Sequence, residues 1–528
     1  MKRNLVLFFA VIVCLCAYGQ GEIDAYRMSK NDLSGTARGQ AMGGAFGALG
    51  GDPTGVSINP AGIAVYRSSE VVLNAGLSFN TTNSNWDGLK TKDSKTSFTA
   101  DNVAYIGTYT LDTERNRRLN FGFTFNRLKN FDRRYRAGIG RMNSSLTDFI
   151  ASKASQDIDY GGYRPNEWLS SENFNYYDTD QRWLNALGWY GYLIDPNANN
   201  DGYVSRIPNV APSTELTFRE KGNISSYDFT LGYSSQDYFY LGATIALTNI
   251  SYSMESTYME DFGAQKFYLD NTYIAEGTGV QMKLGTIWRP TDILRLGLSF
   301  HTPTWYLMKD YYRGSVDPYG ITYEDKGITY DAERVSTPRD ARTAYSFSTP
   351  STLTASVALV AGKNAIISVD YELKNYGGAK FADEDGYIDA WYEDNSNKYI
   401  KEDLRNASSV RIGAEYRFTP RFSVRAGYAW MQQPYSKDIK DGKINVITEG
   451  TAPHYSLEGA INHLTAGLGY RFTPNFYIDL AYVYRTQKDK LYPFPSTYDE
   501  VTSTTVTSTP ATVSVNNSKV LMTVGYKF

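Results

Sequence analysis

The chain has little of what many functions need. Its only two cysteines, Cys14 and Cys16, sit in one apolar stretch at the N-terminus, so the 508-residue remainder can form neither a disulfide nor a cysteine metal site. There are three histidines, His301, His454 and His463, a thin supply for haem or metal ligation, though tyrosine can also hold haem iron. Beyond residue 20 no run approaches the roughly 18 apolar residues of a membrane helix. The net charge of −3 gives no basic footprint, which excludes nucleic acid as a partner.

What is abundant is the amphipathic ring. Aromatics make up 15% of the chain and 44 residues are tyrosine, a composition that suits membrane interfaces and large sheets. The start, MKRNLVLFFAVIVCLCAYGQ, reads as a signal peptide over residues 1–19. Lys2 and Arg3 are its basic region, Leu5 to Leu15 its apolar region, and Ala17-Tyr18-Gly19 a small-x-small site with cleavage expected after Gly19. Neither cysteine follows Gly, Ala or Ser, so a lipid anchor is not expected. An exported chain without membrane helices can span a bilayer only with strands.

From about residue 69 the pattern has period 2. In LNFGFTFN, Leu119, Phe121, Phe123 and Phe125 share one face and Asn120, Gly122, Thr124 and Asn126 the other. IISVDYEL and FYIDLAYVY repeat it. A soluble antiparallel sheet would alternate in the same way, and two features separate the cases. Very short turns (234–237, 289–292, 361–364, 419–421, 473–475) alternate with long polar excursions (130–222, 308–345, 377–403, 435–459, 489–516), as in an outer-membrane barrel. The chain also ends KVLMTVGYKF, with apolar residues alternating up to Phe528. That ending resembles the signal by which the barrel assembly machinery recognises its clients. EYRFTPRFSVRAGYAW and GYRFTPNFYIDLAYVY are one hairpin written twice.

The segments 69–83, 98–111, 117–129, 223–235, 237–254, 273–288, 292–307, 346–361, 365–376, 404–418, 422–434, 461–472, 476–487 and 517–528 make fourteen strands. The fold expected is all-β: a closed antiparallel transmembrane barrel over 69–528, in the outer membrane and surrounded by its lipids. Side chains alone fill a barrel of about eight strands. One of fourteen is therefore a pore or is plugged.

Residues 20–68 supply a plug. SGTARGQAMGGAFGALGGDPTGVSINPAG, residues 34–62, carries nine glycines and almost no charge. It resembles the N-terminal hatch of the FadL-type outer-membrane transporters, importers of long-chain fatty acids and aromatic hydrocarbons. Gly39, Gly43, Gly44, Phe46, Gly47, Gly50, Gly51 and Asp52 form the small-residue stretch, and Asn59-Pro60-Ala61-Gly62 match the motif before strand one. The resemblance implies a monomer that passes a hydrophobic small molecule down to the hatch and releases it sideways into the bilayer. It implies transport and not catalysis. The long excursion 130–222 follows the third strand, so family groove positions do not carry over.

Further candidates follow from residues alone. Gly122 is the candidate for a weakened strand at a lateral gate. Trp183, Leu184, Leu187, Trp189, Tyr190 and Leu193 could line a capture groove or pack the loop's own core. Asp195, Asn197, Asn199 and Asp201 alternate oxygens as a calcium loop does, but Pro208 stands where a final Glu belongs, so a plain turn competes; no other cofactor is expected. Ser299 and His301 share a lumen face and invite comparison with a barrel lipase, without a third member. Two other functions stay open: a porin for polar solutes, and a surface or haem receptor acting through its loops.

Overall fold

The computed structural model describes residues 20–159, 180–207, 211–337, 341–362, 364–442, 445–448 and 450–528. The signal-like stretch 1–19, the loop segment 160–179 and Pro208 lie outside them.

Residues 20–68 form three short helices, α1 (Glu22–Ser29), α2 (Ala37–Ala41) and α3 (Pro53–Ile58), then a 3-10 turn at Pro60–Val65. The wall follows as β1 (Glu70–Trp86), β2 (Leu89–Asp112), β3 (Arg117–Asn130), β4 (Ser213–Ser235), β5 (Phe239–Asp261) and β6 (Lys266–Trp288). Next come β7, in two pieces (Leu294–His301 and Trp305–Tyr319), β8, also in two (Ala341–Ser348 and Thr352–Ala361), and β9 (Ala365–Asn375). It ends with β10 (Asn406–Arg417), β11 (Phe422–Met431), β12 (Ile461–Arg471), β13 (Phe476–Tyr492) and β14 (Ala511–Lys527). Each neighbour pair is antiparallel, and β1 closes on β14 from Glu70↔Lys527 to Asn85↔Thr512. This is the fourteen-stranded barrel the alternation predicts, with the last strand closing on the first.

Outward positions such as Leu73, Phe121, Leu231, Leu284, Leu359, Leu468 and Met522 are exposed, and their neighbours face the lumen. The YRFTP repeat folds the same way twice. Phe418 N–H donates to Phe422 O and Phe472 N–H to Phe476 O, and each turn threonine, Thr419 or Thr473, accepts from two backbone N–H groups of its own turn. Its rings stand in two matching sets, with Tyr416–Phe418 and Tyr470–Phe472 centroids both 4.8 Å apart. These belong to the aromatic girdle at the short-turn end.

Most strands run further toward the long loops than the sequence expectation, whereas β9, β10 and β11 stop short of it there, at Asn375, Asn406 and Met431. β4, β5 and β6 run ten, seven and seven residues further toward the long loops, beginning at Ser213, ending at Asp261 and beginning at Lys266. There the alternation inverts, because the ladder continues past the lipid: Leu216, Phe218, Met254, Tyr258, Phe267 and Leu269 are buried in the cap core, while Thr217, Arg219 and Glu255 face outward. Within the long loops, α4 (Leu146–Asp159), α5 (Asp180–Tyr190) and α6 (Ser396–Asp403) join one aromatic-rich core over the lumen, and α1 packs beneath α6.

Candidate functional site

The hatch lies inside the lumen and is bonded to the wall around its circumference. Ala37 N–H donates to Thr523 Oγ1 at 2.7 Å, Gly43 N–H to Thr465 Oγ1 at 3.2 Å, and Gly47 N–H to Asp370 Oδ2 at 2.9 Å. Arg295 reaches Leu49 O at 2.7 Å, and Asn120 Nδ2 reaches Ile63 O and Tyr66 O at 2.6 and 3.0 Å. Arg38 pairs with Glu415 at 2.9 Å and lies over the buried Phe46 ring. The hatch also closes on itself: Asp52 caps α3 through Thr54 N–H and accepts from the Thr36 hydroxyl at 2.8 Å.

The Asn-Pro-Ala-Gly motif has a counterpart in the wall that sequence reading missed. Asn59 Oδ1 accepts from Ala61 N–H at 3.1 Å, while its amide donates to Gly47 O at 2.7 Å and Thr286 O at 3.1 Å. Opposite it, a Cβ added at Gly285 would stand 1.9 Å from Asn59 Oδ1, and one at Gly242 would stand 2.2 Å from Pro60 C. The motif and the two strand glycines are halves of one seat, since only a bare backbone admits so close an approach. Gly242 and Gly285 both fall at lumen-facing positions of the alternation, and that is the signal by which they could have been found. Every predicted hatch residue lies in this plug, all buried except the half-buried Gly51. Gly43, Gly44, Gly50 and Gly51 have positive φ of 61–77°.

Gly122 is placed differently from the sequence expectation. It is paired on both sides, with Ile106 and Thr230, and a Cβ there would meet Ile63 Cδ1 at 2.7 Å. It makes room for the hatch in an unbroken ladder. The interruption begins four residues later. The β2–β3 ladder runs from Asp112↔Arg117 to Asn102↔Asn126 and stops. Beyond that point β2 is bonded to β1, with a register shift between Asn74 and Gly76, and β3 to β4, with another between Arg127 and Lys129. At this height Phe79 and Phe98 face outward, 42% and 69% exposed, so the seam opens within the apolar band. Side chains bridge it: Lys95–Asp132 at 2.8 Å, Asn80 Nδ2 to Asp132 O at 3.0 Å, and Arg134–Asp93 at 3.1 Å. Behind it lies a cavity of about 70 Å³ lined by Asp32 and Leu33 of the hatch, Thr99 and Asp101 of β2, Asn130 at the end of β3 and Asp132 just beyond it.

A second cavity, of about 120 Å³, lies between the hatch and the wall from β6 to β11. The lumen charges near it are mostly paired: Lys283–Asp228 at 2.9 Å, Arg411–Glu372 at 2.6 Å, and Arg425 bridging Glu415 and Asp479 at 2.6 Å each. Ser299 and His301 do not form a catalytic pair. Ser299 Oγ at 2.8 Å and His301 Nε2 at 3.0 Å both engage the Ile58 carbonyl, which makes them hatch anchors.

The loop candidates fill the cap. Trp183, Leu184, Leu187 and Leu193 are buried in its core, Trp189 stacks edge-on to Tyr203, and Tyr190 is half-buried; none borders the 120 Å³ cavity. Asn197 Oδ1 accepts from Asp201 N–H at 3.1 Å and Gly202 N–H at 3.3 Å, closing a turn between Ile194–Pro196 and Tyr203–Ser205. Asp195 faces Arg206 at 3.6 Å, Asp201 takes the Asn197 amide at 2.6 Å, and Asn199 is exposed. The Asn197 and Asp201 oxygens thus serve this turn. Where α1 meets the cap, burial pushes the Glu458 carboxyl up, yet Lys30, Lys129 and Arg133 together hold it well below the usual range. Burial raises Asp24 to about 6 against Arg27, and lowers His454 to about 4.

A closed barrel with an apolar belt, a lumen filled by its own N-terminal segment and a seam beside that plug defines a plugged outer-membrane transport barrel. The family model for outer membrane protein transport protein (OMPP1/FadL/TodX) matches residues 228–528, and the chain belongs to that family. Among solved structures it is similar to a Pseudomonas aeruginosa FadL homologue, at 12% identity and a TM-score of 0.52, covering 95% of this chain and all of that one. It is also similar to the P. putida toluene transporter TodX, at 12% identity and a TM-score of 0.50, covering 94% and 99%. No curated protein matches the chain by sequence. Family and fold point to a transport protein and not to an enzyme.

Proposed function

We propose that the protein admits hydrophobic small molecules, long-chain fatty acids or similar, across the outer leaflet by passive, hatch-gated diffusion and releases them sideways through the β2–β3 seam. The observation that carries this is the ladder's end at Asn102↔Asn126 beside hatch residues Asp32 and Leu33, at the height of outward Phe98. Unpaired backbone in hydrocarbon is costly, and a chain keeps it only where the gap is used or filled. A greasy solute gains nothing from a wet lumen, so a side exit suits it. The N-terminal leader and the assembly machinery belong to the same reading of an exported monomeric barrel.

The test uses the absence of thiols from residues 20–528. With Ser97→Cys and Asn130→Cys, one on each side of the seam, a short bis-maleimide staples the wall shut. Uptake of a labelled fatty acid or aromatic into proteoliposomes should fall at least about tenfold, while the two variants without the reagent stay near wild type. Uptake undiminished by the staple would rule out the seam as the exit. A steady large conductance from the unmodified protein would favour a porin for polar solutes instead.

A further inference from the structure

The Tyr-Arg-Phe-Thr-Pro hairpin, written twice in the chain, gathers three arginines that make no ion pair. Arg417 and Arg471 hold the same place in the two copies, and Arg421 ends the first turn. Arg471 N–H donates to Arg421 O at 2.8 Å, so these two stand opposite each other at the ends of β11 and β12. Arg417, at the end of β10, is opposite Ser423 of β11. Among the described residues none of the three guanidinium groups has an ion-pair or hydrogen-bond partner. The related turn at 288–292, Trp-Arg-Pro-Thr-Asp, differs, because it supplies its own carboxylate and Arg289 pairs with Asp292.

All three arginines line one cavity of about 100 Å³ at the short-turn end, between the wall and the hatch residues Arg38, Gly51 and Asp52. With Arg38, Arg425 and Lys527, six cations border it, against the four carboxylates of Asp52, Glu70, Glu415 and Asp479. The carboxylates are engaged elsewhere. Glu415 accepts from Arg38 and Arg425, and Asp479 from Arg425. Asp52 accepts from Thr36 and Thr54, and Glu70 from the Tyr477 hydroxyl, with Lys527 at 3.8 Å. The lining thus keeps an excess of two positive charges. Like charges set opposite each other in a ladder repel, and an anion between them relieves that cost.

We propose that this cavity binds a phosphate group, with Arg417, Arg421 and Arg471 on its oxygens. A phosphate monoester carries about −1.5 to −2 charge at neutral pH and three acceptor oxygens, which matches the excess charge and the three guanidinium groups. The planar guanidinium fork fits such oxygens. A single carboxylate leaves one positive charge unmet. Short turns mark the periplasmic end of a barrel, so the group arrives from that side, on a solute or on a lipid headgroup. The proposal is independent of what crosses the barrel.

The experiment measures binding of radiolabelled inorganic phosphate to the full-length protein in phosphatidylcholine nanodiscs at pH 7.5, with empty discs as background. Wild type should retain phosphate in the presence of about a tenfold excess of chloride. Arg417→Gln and Arg471→Gln should each weaken binding at least about tenfold, and Arg471→Lys should recover part of it. Neither arginine makes a side-chain bond whose loss would unfold the barrel. Arg115→Gln, at an exposed arginine of the β2–β3 turn outside the cavity, should leave binding unchanged. Displacement by the chloride, or an equal loss in Arg115→Gln, would mean a diffuse basic surface and overturns the proposal. Wild type that binds no phosphate at about 10 mM overturns it too. Discs containing phosphatidic acid tell the two sources apart. Competition by that lipid assigns the site to a headgroup and its absence to a solute, and each upholds the phosphate site.

Discussion

Among the described residues the wall of the barrel is broken in two places, and the breaks are built differently. Between β7 and β8, Thr302-Pro303-Thr304 and Thr349-Pro350-Ser351 lie side by side and interrupt both strands at one height. The backbone there is repaired. Thr304 N–H donates to Thr349 Oγ1 at 2.9 Å, Thr349 N–H to Thr304 O at 3.1 Å, Thr302 N–H to Met282 O at 2.9 Å, and Met282 N–H to Thr302 Oγ1 at 3.0 Å. Proline removes a donor, and threonine hydroxyls placed beside it replace the lost bonds. Between β2 and β3 the strands part instead, long polar side chains span the distance, and a cavity lies behind. A barrel wall tolerates a bend wherever local side chains satisfy the backbone. It stays parted only where water or a ligand reaches it.

The contrast can be broken most directly by stapling each site in turn. The bis-maleimide bridge at 97–130 is expected to stop uptake. An equivalent bridge from Thr302→Cys to Ser351→Cys should leave the uptake rate within about twofold, measured in the same proteoliposomes. If both bridges block, the two breaks are functionally alike and the distinction falls.

The next largest effect concerns the plug. Gly285→Val puts a side chain where 1.9 Å separates a Cβ from Asn59 Oδ1, so the Asn-Pro-Ala-Gly seat cannot form. A planar bilayer should then record single-channel conductance absent from wild type, with the barrel itself still resistant to unfolding in detergent. A closed Gly285→Val channel would mean the hatch is held elsewhere.

A smaller change is expected at the repaired break. Thr349→Val removes the hydroxyl that satisfies Thr304 N–H and should lower stability by about 1–3 kcal/mol, read as an earlier urea midpoint. Uptake should not change. No loss of stability would indicate that water serves the same bond.

The smallest effect is that of pH on α1. Asp24 has its folded value raised to about 6 from 3.8, so the folded state binds its proton more tightly than the unfolded one. Docking of α1 is therefore favoured at low pH and weakens as pH rises through the window from 3.8 to about 6. Hydrogen exchange of residues 22–29, corrected for intrinsic rates, should be slower at pH 5 than at pH 7.5. Asp24→Asn should flatten the difference.

Much of this architecture could be read from the residues because lipid imposes a pattern on them. Period-2 alternation, short turns against long loops and the repeated YRFTP hairpin all follow from an outward apolar face, so strand number and closure were legible, as was the hatch through its glycines and Asn59-Pro60-Ala61-Gly62. The strand extensions of β4 to β6 were not, since beyond the bilayer the alternation inverts and the apolar residues turn inward to the cap core. The aromatic loop helix around Trp183 read equally as groove or core, because both demand the same side chains, and the cap core took it.

What the sequence by itself determined is the wall and the identity of its plug, through local spacing that each strand carries independently. Only the tertiary structure decided where the wall parts, which glycines seat the hatch, and that Lys374 meets the Ser29 carbonyl at the end of α1. Those features depend on register between strands and on contacts between residues hundreds of positions apart, such as Lys374 with Ser29. Period-2 alternation repeats at every residue pair and marks no register, so it cannot specify them.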